Sequence, residues 1–388
     1  MSFSLRRAVA TVGITQTIGY AGSTYLPASL AKPMAQAVGV PESMVFLTFS
    51  GALLLQAVIG PRLGRLVDAQ GGRAPLSAAS ALFALGLTLL AMAHRPWQLV
   101  VGWAVVGLAM GSGLYDIAFA GLVGWFGAEA RRGITGVTLI AGFASTIGWP
   151  LTAWLEHHVG WRGACLFWAA ANGLIALPLH LSLPRGGIRP KPEAPTTAPD
   201  APAKDSAEDR WRMALMAVAF AILGGIGSAI SAHLPPLLMA TGASAAAAVT
   251  AAALVGPSQV AARIAEFVLV RRIHPLISGR VAVSLFPIGA ALLILVGGAA
   301  AAPFAILYGA GNGLFTIVRG TLPLALFGEA GYGRRLGLLN IPNRLTQAAS
   351  PFLLSLLMAR SANLALEVLA GGALIALSAL LIMRRPAS

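Results

Sequence analysis

Gly111-Ser112-Gly113-Leu114-Tyr115-Asp116-Ile117 lies in an almost wholly apolar stretch and returns later as Gly311-Asn312-Gly313-Leu314-Phe315-Thr316-Ile317. The echo continues outward from it. Phe126-Gly127 and Arg131-Arg132 are answered by Phe327-Gly328 and Arg334-Arg335, while Arg65-Leu66-Val67-Asp68 with Arg73 is answered by Arg263-Ile264-Ala265-Glu266 with Arg271. Repetition inside membrane-length apolar segments predicts two homologous halves. Such halves place a substrate site between them, near the bilayer midplane, as secondary transporters do.

Composition points the same way. Hydrophobic residues make up 57% of the 388 and charged residues 10%, against about 25% charged in soluble domains. The net charge of +14 could suggest a nucleic-acid partner, but the basic residues are spread by topology. All but seven of the 27 Lys and Arg fall in the tails and in alternate loops. Lys32, Arg95, Arg162 and Arg360 fall in the opposite loops, and Arg263, Arg319 and Arg344 lie within spans. This is the positive-inside asymmetry, so both termini are expected to be cytoplasmic and no nucleic acid is expected to bind. The single cysteine, Cys165, excludes an intrachain disulfide. Met1 to Arg7 is basic and precedes an apolar run without a small-residue cleavage site, which reads as a retained first helix.

Twelve segments reach the roughly 20 residues a crossing needs: 8–31, 43–64, 75–94, 97–127, 133–157, 163–183, 212–239, 245–270, 279–300, 302–327, 335–359 and 362–383. The fold predicted is an all-α membrane protein with twelve transmembrane helices in two pseudo-symmetric six-helix halves. Residues 1–183 form the first half and 211–388 the second. Residues 184–210, rich in Pro, Ala and charge, form a cytoplasmic linker. Pro150 and Pro351, related by the repeat, predict a shared bend in the fifth and eleventh spans.

The loop after the second span reads Gly64-Arg65-Leu66-Val67-Asp68-Ala69-Gln70-Gly71-Gly72-Arg73. This is similar to the signature of the major facilitator superfamily between its second and third helices. Gly64, Asp68, Gly71 and Arg73 match, while Ala69 and Gly72 replace basic residues of that pattern. The resemblance implies a latch on the cytoplasmic side, in which Asp68 accepts hydrogen bonds at a helix end and pairs with a basic residue. By the repeat, Glu266 and Arg271 join that gate.

Trp125-Phe126, Arg131-Arg132, Gly136, Ala141-Gly142, Pro150 and Gly160-Trp161-Arg162-Gly163 resemble the bacterial branch of the monocarboxylate and oxalate/formate porters, over about residues 110–185. That likeness implies a small organic acid as substrate. Two departures stand out. The first span reads Gln16-Thr17-Ile18-Gly19-Tyr20 without an acidic residue, and Gln259 stands where those carriers have an aspartate four residues before Arg263. The fourth-helix arginine common in proton-coupled exporters is also missing, with Trp103 near that place, and the fifth-helix glycine series ends in Gly148-Trp149-Pro150.

An ionisable group in a span is costly unless it meets a partner or a cavity, so each is a functional candidate. Asp116, Arg319, Arg344 and Arg263 fall at comparable depth on four different spans. Three arginines against one aspartate leave a cationic surplus, and the guanidinium fork suits a carboxylate. Arg319, Arg263 and Arg344, with Tyr20, Gln16, Gln259 and Asn312, are therefore the expected substrate-binding set. Asp116 is the expected proton-coupling residue, with a structural ion pair as the competing role. Arg263 has a second reading too, as a gate residue matching Arg65.

No phosphate-cradling loop or nucleophilic triad occurs, so no enzyme activity, cofactor or metal is expected. The sequence points to a monomeric inner-membrane transporter that moves a small anion with protons, with the lipid bilayer as surroundings. The alternative is an exporter of a drug, metalloid or other toxic compound.

Overall fold

The structure, a computed structural model, describes residues 4–186, 206–269 and 273–383. The first half comprises α1 (Leu5–Ala21), α2 (Leu26–Val38), α3 (Glu42–Gln70), α4 (Arg73–Ala91), α5 (Pro96–Gly113), α6 (Tyr115–Phe126), α7 (Ala130–Ala141), α8 (Ala144–Ala170) and α9 (Leu177–Leu181). The second comprises α10 (Ala207–Ala240), α11 (Ala245–Leu269), α12 (Pro275–Val296), α13 (Ala301–Phe327), α14 (Tyr332–Arg360) and α15 (Ala362–Ile382). The second half spends one helix on each crossing. The first half breaks three of its six crossings in two: α1 with α2, α5 with α6, and α7 with the start of α8. Gly160, at φ 72°, turns α8 back into the sixth crossing, which a π-helical turn carries on to α9. α10 begins within the stretch 184–210, and 187–205 lies outside the described residues.

The repeated Gly-x-Gly places the fourth and tenth crossings. A β-carbon on Gly111 would lie 2.5 Å from Ile59 on α3, and one on Gly113 would lie 2.4 Å from Ala79 on α4. In the other half, one on Gly311 would lie 2.7 Å from the Ala282 carbonyl on α12, and one on Gly313 would lie 2.6 Å from the Gln259 carbonyl on α11. Glycine lets both crossings lie against two neighbours at backbone distance. The two copies then part company. α13 runs straight through its motif, whereas the fourth crossing breaks at Leu114, whose ψ of −173° is extended. α6 restarts at Tyr115 with Asp116 in its first turn, where the helix dipole favours an anion.

Helix runs across both Pro150 and Pro351, and the fifth crossing breaks at Gly142–Phe143. Pro351 has no N–H for the carbonyl of Gln347. Ser228 on α10 donates to that carbonyl at 2.7 Å, so the vacant acceptor is filled from a neighbouring crossing.

One face carries the first described residues and the last. Leu5 packs at Gly133, and Arg280 donates to the carbonyls of Leu380, Leu381 and Met383. The halves meet toward this terminal face, where α3 and α6 touch α14 and α7 touches α11 and α13. A shared apolar core forms there from Val67, Phe119, Ile134, Leu324, Tyr332 and Leu336. On the opposite side the cores are separate, one around Trp103 and Trp168 and one around Phe286 and Phe304.

Candidate functional site

At the seam between the halves Asp116 accepts a hydrogen bond from Arg319 Nη2 at 2.7 Å. Both side chains are about 15% exposed, 16% and 15% respectively. Asn340 on α14 lies within hydrogen-bonding reach of the same carboxylate. Arg344, one turn further along α14, is 7% exposed and donates from Nη1 to Gln347 Oε1 at 2.8 Å. It lies close enough to Asp116, Arg319 and Tyr20 to interact with them electrostatically, and its Nε is buried without an acceptor.

Arg263 sits on the other side of α13. It donates weakly to the Gly313 carbonyl (3.4 Å), Thr316 Oγ1 (3.4 Å) and Gln259 Oε1 (3.5 Å). Thr316 is the repeat partner of Asp116, so Arg263 lies at the depth of the ion pair. Its repeat partner Arg65 is exposed on α3, whereas Arg263 is 5% exposed. Its guanidinium also reaches the first half, since a β-carbon on Gly142 would lie 2.1 Å from Nη1. That nitrogen has no acceptor. Tyr115 stands between, within electrostatic reach of both Arg263 and Arg319.

The remaining pocket candidates divide. Tyr20 is partly exposed, packs on Tyr115 at 4.7 Å and faces Arg319 and Arg344. Gln16 is 1% exposed and donates to the Gly113 carbonyl at 2.6 Å, the carbonyl that the break at Leu114 sets free. Asn312 lines a small space inside the second half with Ile226, Tyr308 and Phe315, away from the arginines. Trp103 is fully buried against Phe49 in the first-half core.

At the terminal face Asp68 Oδ1 accepts from the Gly333 N–H at 2.8 Å and Oδ2 from the Arg334 N–H at 3.0 Å. These are amides of the first turn of α14, whose own N-cap, Gly331, offers no side chain. Asp68 thus caps a helix of the opposite half, where carboxylate charge suits the dipole. Gly64 lies directly against Gly333. Gly71, at φ 86°, ends α3, and Arg73 opens α4. Glu266 accepts from Ser278 Oγ at 3.0 and 3.1 Å within its own half and lies near Arg131 of the first half. Arg131 in turn donates to the Ile273 carbonyl. Arg271 lies outside the described residues.

Sequence reading passed over several of these contributors. Arg131 stands in the sequence as part of a repeated basic pair and of the porter-like motif, neither of which indicates its contact with the second half. Asn340 and Gln347 carry one signal, a spacing of one turn either side of Arg344. Gly142 and Tyr115 have theirs in the quoted motifs, without any indication of what they touch.

Two helical halves that close over a largely buried ion pair on one face and part on the other are the build of a multi-pass secondary transporter. The chain belongs to the Major Facilitator Superfamily, whose family profile matches residues 12–351. In fold it is similar to the human organic anion transporter MFSD10 (TM-score 0.76, 17% identity, 97% of this chain and 100% of that one). It is similar as well to the Escherichia coli fucose:proton symporter FucP (TM-score 0.73, 14% identity, all of both chains). In sequence it is 26% identical over 179 residues to the inner membrane transport protein YdhP of Escherichia coli K12, covering 45% of each chain. It is 30% identical over 166 residues to an uncharacterized 38 kDa protein of Thermoproteus tenax, covering 42% of this chain and 43% of that one. The chain thus spans under half the length of the curated relatives it matches. These likenesses support the superfamily and do not single out the monocarboxylate or oxalate/formate branch.

Proposed function

We propose that this transporter moves a small organic anion across the inner membrane by alternating access, with Asp116 carrying the coupling proton. One observation carries the reading: Arg263, Arg319 and Arg344 lie at the seam between the halves, and Asp116 is the carboxylate that meets Arg319 and faces Arg344. Buried guanidinium groups without enough counter-charge are costly, and an incoming carboxylate relieves that cost. The terminal face is the cytoplasmic one, so the conformation described is closed to the cytoplasm.

Asp116 and Arg319 belong to opposite halves, and opening the cytoplasmic side separates them. A protonated Asp116 no longer holds Arg319 by charge. A substrate carboxylate that engages the arginines takes the place of Asp116, which is then free to accept a proton. Binding and protonation thus favour the same rearrangement, as symport requires. Asp68, capping α14, and Arg131, beside Glu266, act as the cytoplasmic latches.

The exporter reading makes the arginines gate residues and leaves aromatic side chains of the first half, Tyr20 and Tyr115 among them, to hold a neutral compound. Charge separates the two. Melting of the purified protein should rise with organic acids and stay unmoved by their neutral amides and by common toxicants. A rise with neutral compounds alone overturns the anion reading.

A further inference from the structure

Five rings follow one another along the first half: Trp149, Tyr25, Tyr20, Tyr115 and Phe119. Successive centroids are 5.4, 6.4, 4.7 and 5.0 Å apart. Trp149, 49% exposed, lies on α8 beyond the break at Gly142–Phe143, and Gly142 touches the Arg263 guanidinium. At the other end Phe119 is buried against Gly320, the neighbour of Arg319. The rings lead from the parted side of the molecule down to the ion pair.

The facing wall is of a different kind. It presents Arg344, Gln347, Arg263 and Gln259, with Arg344 Nε and Arg263 Nη1 both buried and lacking an acceptor. Tyr20 stands where the walls meet, within electrostatic reach of Arg319 and Arg344. A compact acid such as formate or oxalate would use the cationic wall alone. A ligand that uses both walls has a carboxylate at one end and a flat apolar body at the other. Rings pack edge-to-face or offset on such a body.

We propose that the substrate is an aromatic monocarboxylate, its carboxylate accepting from Arg344 beside Tyr20 and its ring lying among Tyr20, Tyr25 and Trp149. This rests on the anion reading above and narrows it.

The test uses the full chain in detergent, with melting followed against cinnamate, benzoate, formate, oxalate and benzyl alcohol. Cinnamate and benzoate should raise the melting temperature saturably. Trp149→Ala should weaken cinnamate about three- to tenfold, and Trp149→Phe should restore most of the loss. Because Trp149 is half exposed, both variants should fold, and their unliganded melting checks this. Unchanged cinnamate affinity in Trp149→Ala, or no response to either aromatic acid, overturns the proposal. A response to formate or oxalate alone overturns it while leaving the anion reading in place. Benzyl alcohol acting as strongly as benzoate removes both.

Discussion

Gly64 and Gly333 meet backbone to backbone across the two halves, so closely that a β-carbon on Gly64 would lie 2.1 Å from the Gly333 carbonyl oxygen. The neighbouring pair, Gly60 and Gly337, continues the contact one turn deeper. Closure of this face depends on two helices without side chains at the crossing point, held in register by Asp68.

Gly64→Ala should therefore open this face. The clash is with backbone, which cannot rotate away, and overpacking of this kind costs about 1–3 kcal/mol. That shifts the population of the closed state roughly 5- to 150-fold. Spin labels at Arg65→Cys and Arg334→Cys, both exposed positions, in a Cys165→Ser background should show a longer distance in the variant. An unchanged distance distribution would place the closing contact elsewhere.

Asp68→Asn removes the charge and keeps one acceptor oxygen for two amides. Hydrogen bonds to a charged group contribute about 1.5–3 kcal/mol, and the bonds affected belong to one conformation of the cycle. Turnover should fall at least about tenfold while ligand affinity in detergent stays within about twofold. Parallel loss of affinity and transport would mean that Asp68 shapes the pocket as well.

The architecture was legible because lipid imposes it. Twelve apolar runs, one repeat and one charge asymmetry leave little freedom, and the cost of a lone charge in a span sets Asp116 opposite Arg319. What escaped depends on local register. Nothing in Gly-x-Gly-Leu says that one copy breaks at Leu114 and the other runs straight, since both strings have the same helix propensity. The first crossing likewise breaks between Ala21 and Leu26, ahead of Pro27, which sits at the start of α2. The position of Asn312 inside its own half follows from which face of α13 packs on α10, and composition does not reveal that.

Ser228→Ala should destabilise the second half without touching the arginines. It leaves the Gln347 carbonyl, already deprived of a partner by Pro351, with no donor. The expected cost is about 0.6–1.7 kcal/mol, the range for such bonds in membranes. A lower unliganded melting temperature with unchanged anion affinity is the expected result. Unchanged melting would show that another group takes over that carbonyl.

Arg319→Ala should lose anion binding, because its charge is part of the attraction and nothing replaces it. Arg319→Lys keeps the charge and loses the planar fork, so binding should be weakened rather than lost. Titration of both variants with the organic acid that raises wild-type melting separates charge from geometry. Equal affinity in all three would reduce Arg319 to a partner of Asp116.

The central claim is that the Asp116–Arg319 pair couples proton to substrate, and one comparison in reconstituted vesicles addresses it. Asp116→Asn mimics the protonated carboxyl permanently. Under an imposed pH gradient the variant should show no uphill accumulation of the labelled acid, while exchange at equal concentrations on both sides persists, since exchange moves no net proton. Gradient-driven accumulation at the wild-type level in Asp116→Asn would contradict the claim and leave the pair as a structural tie between the halves.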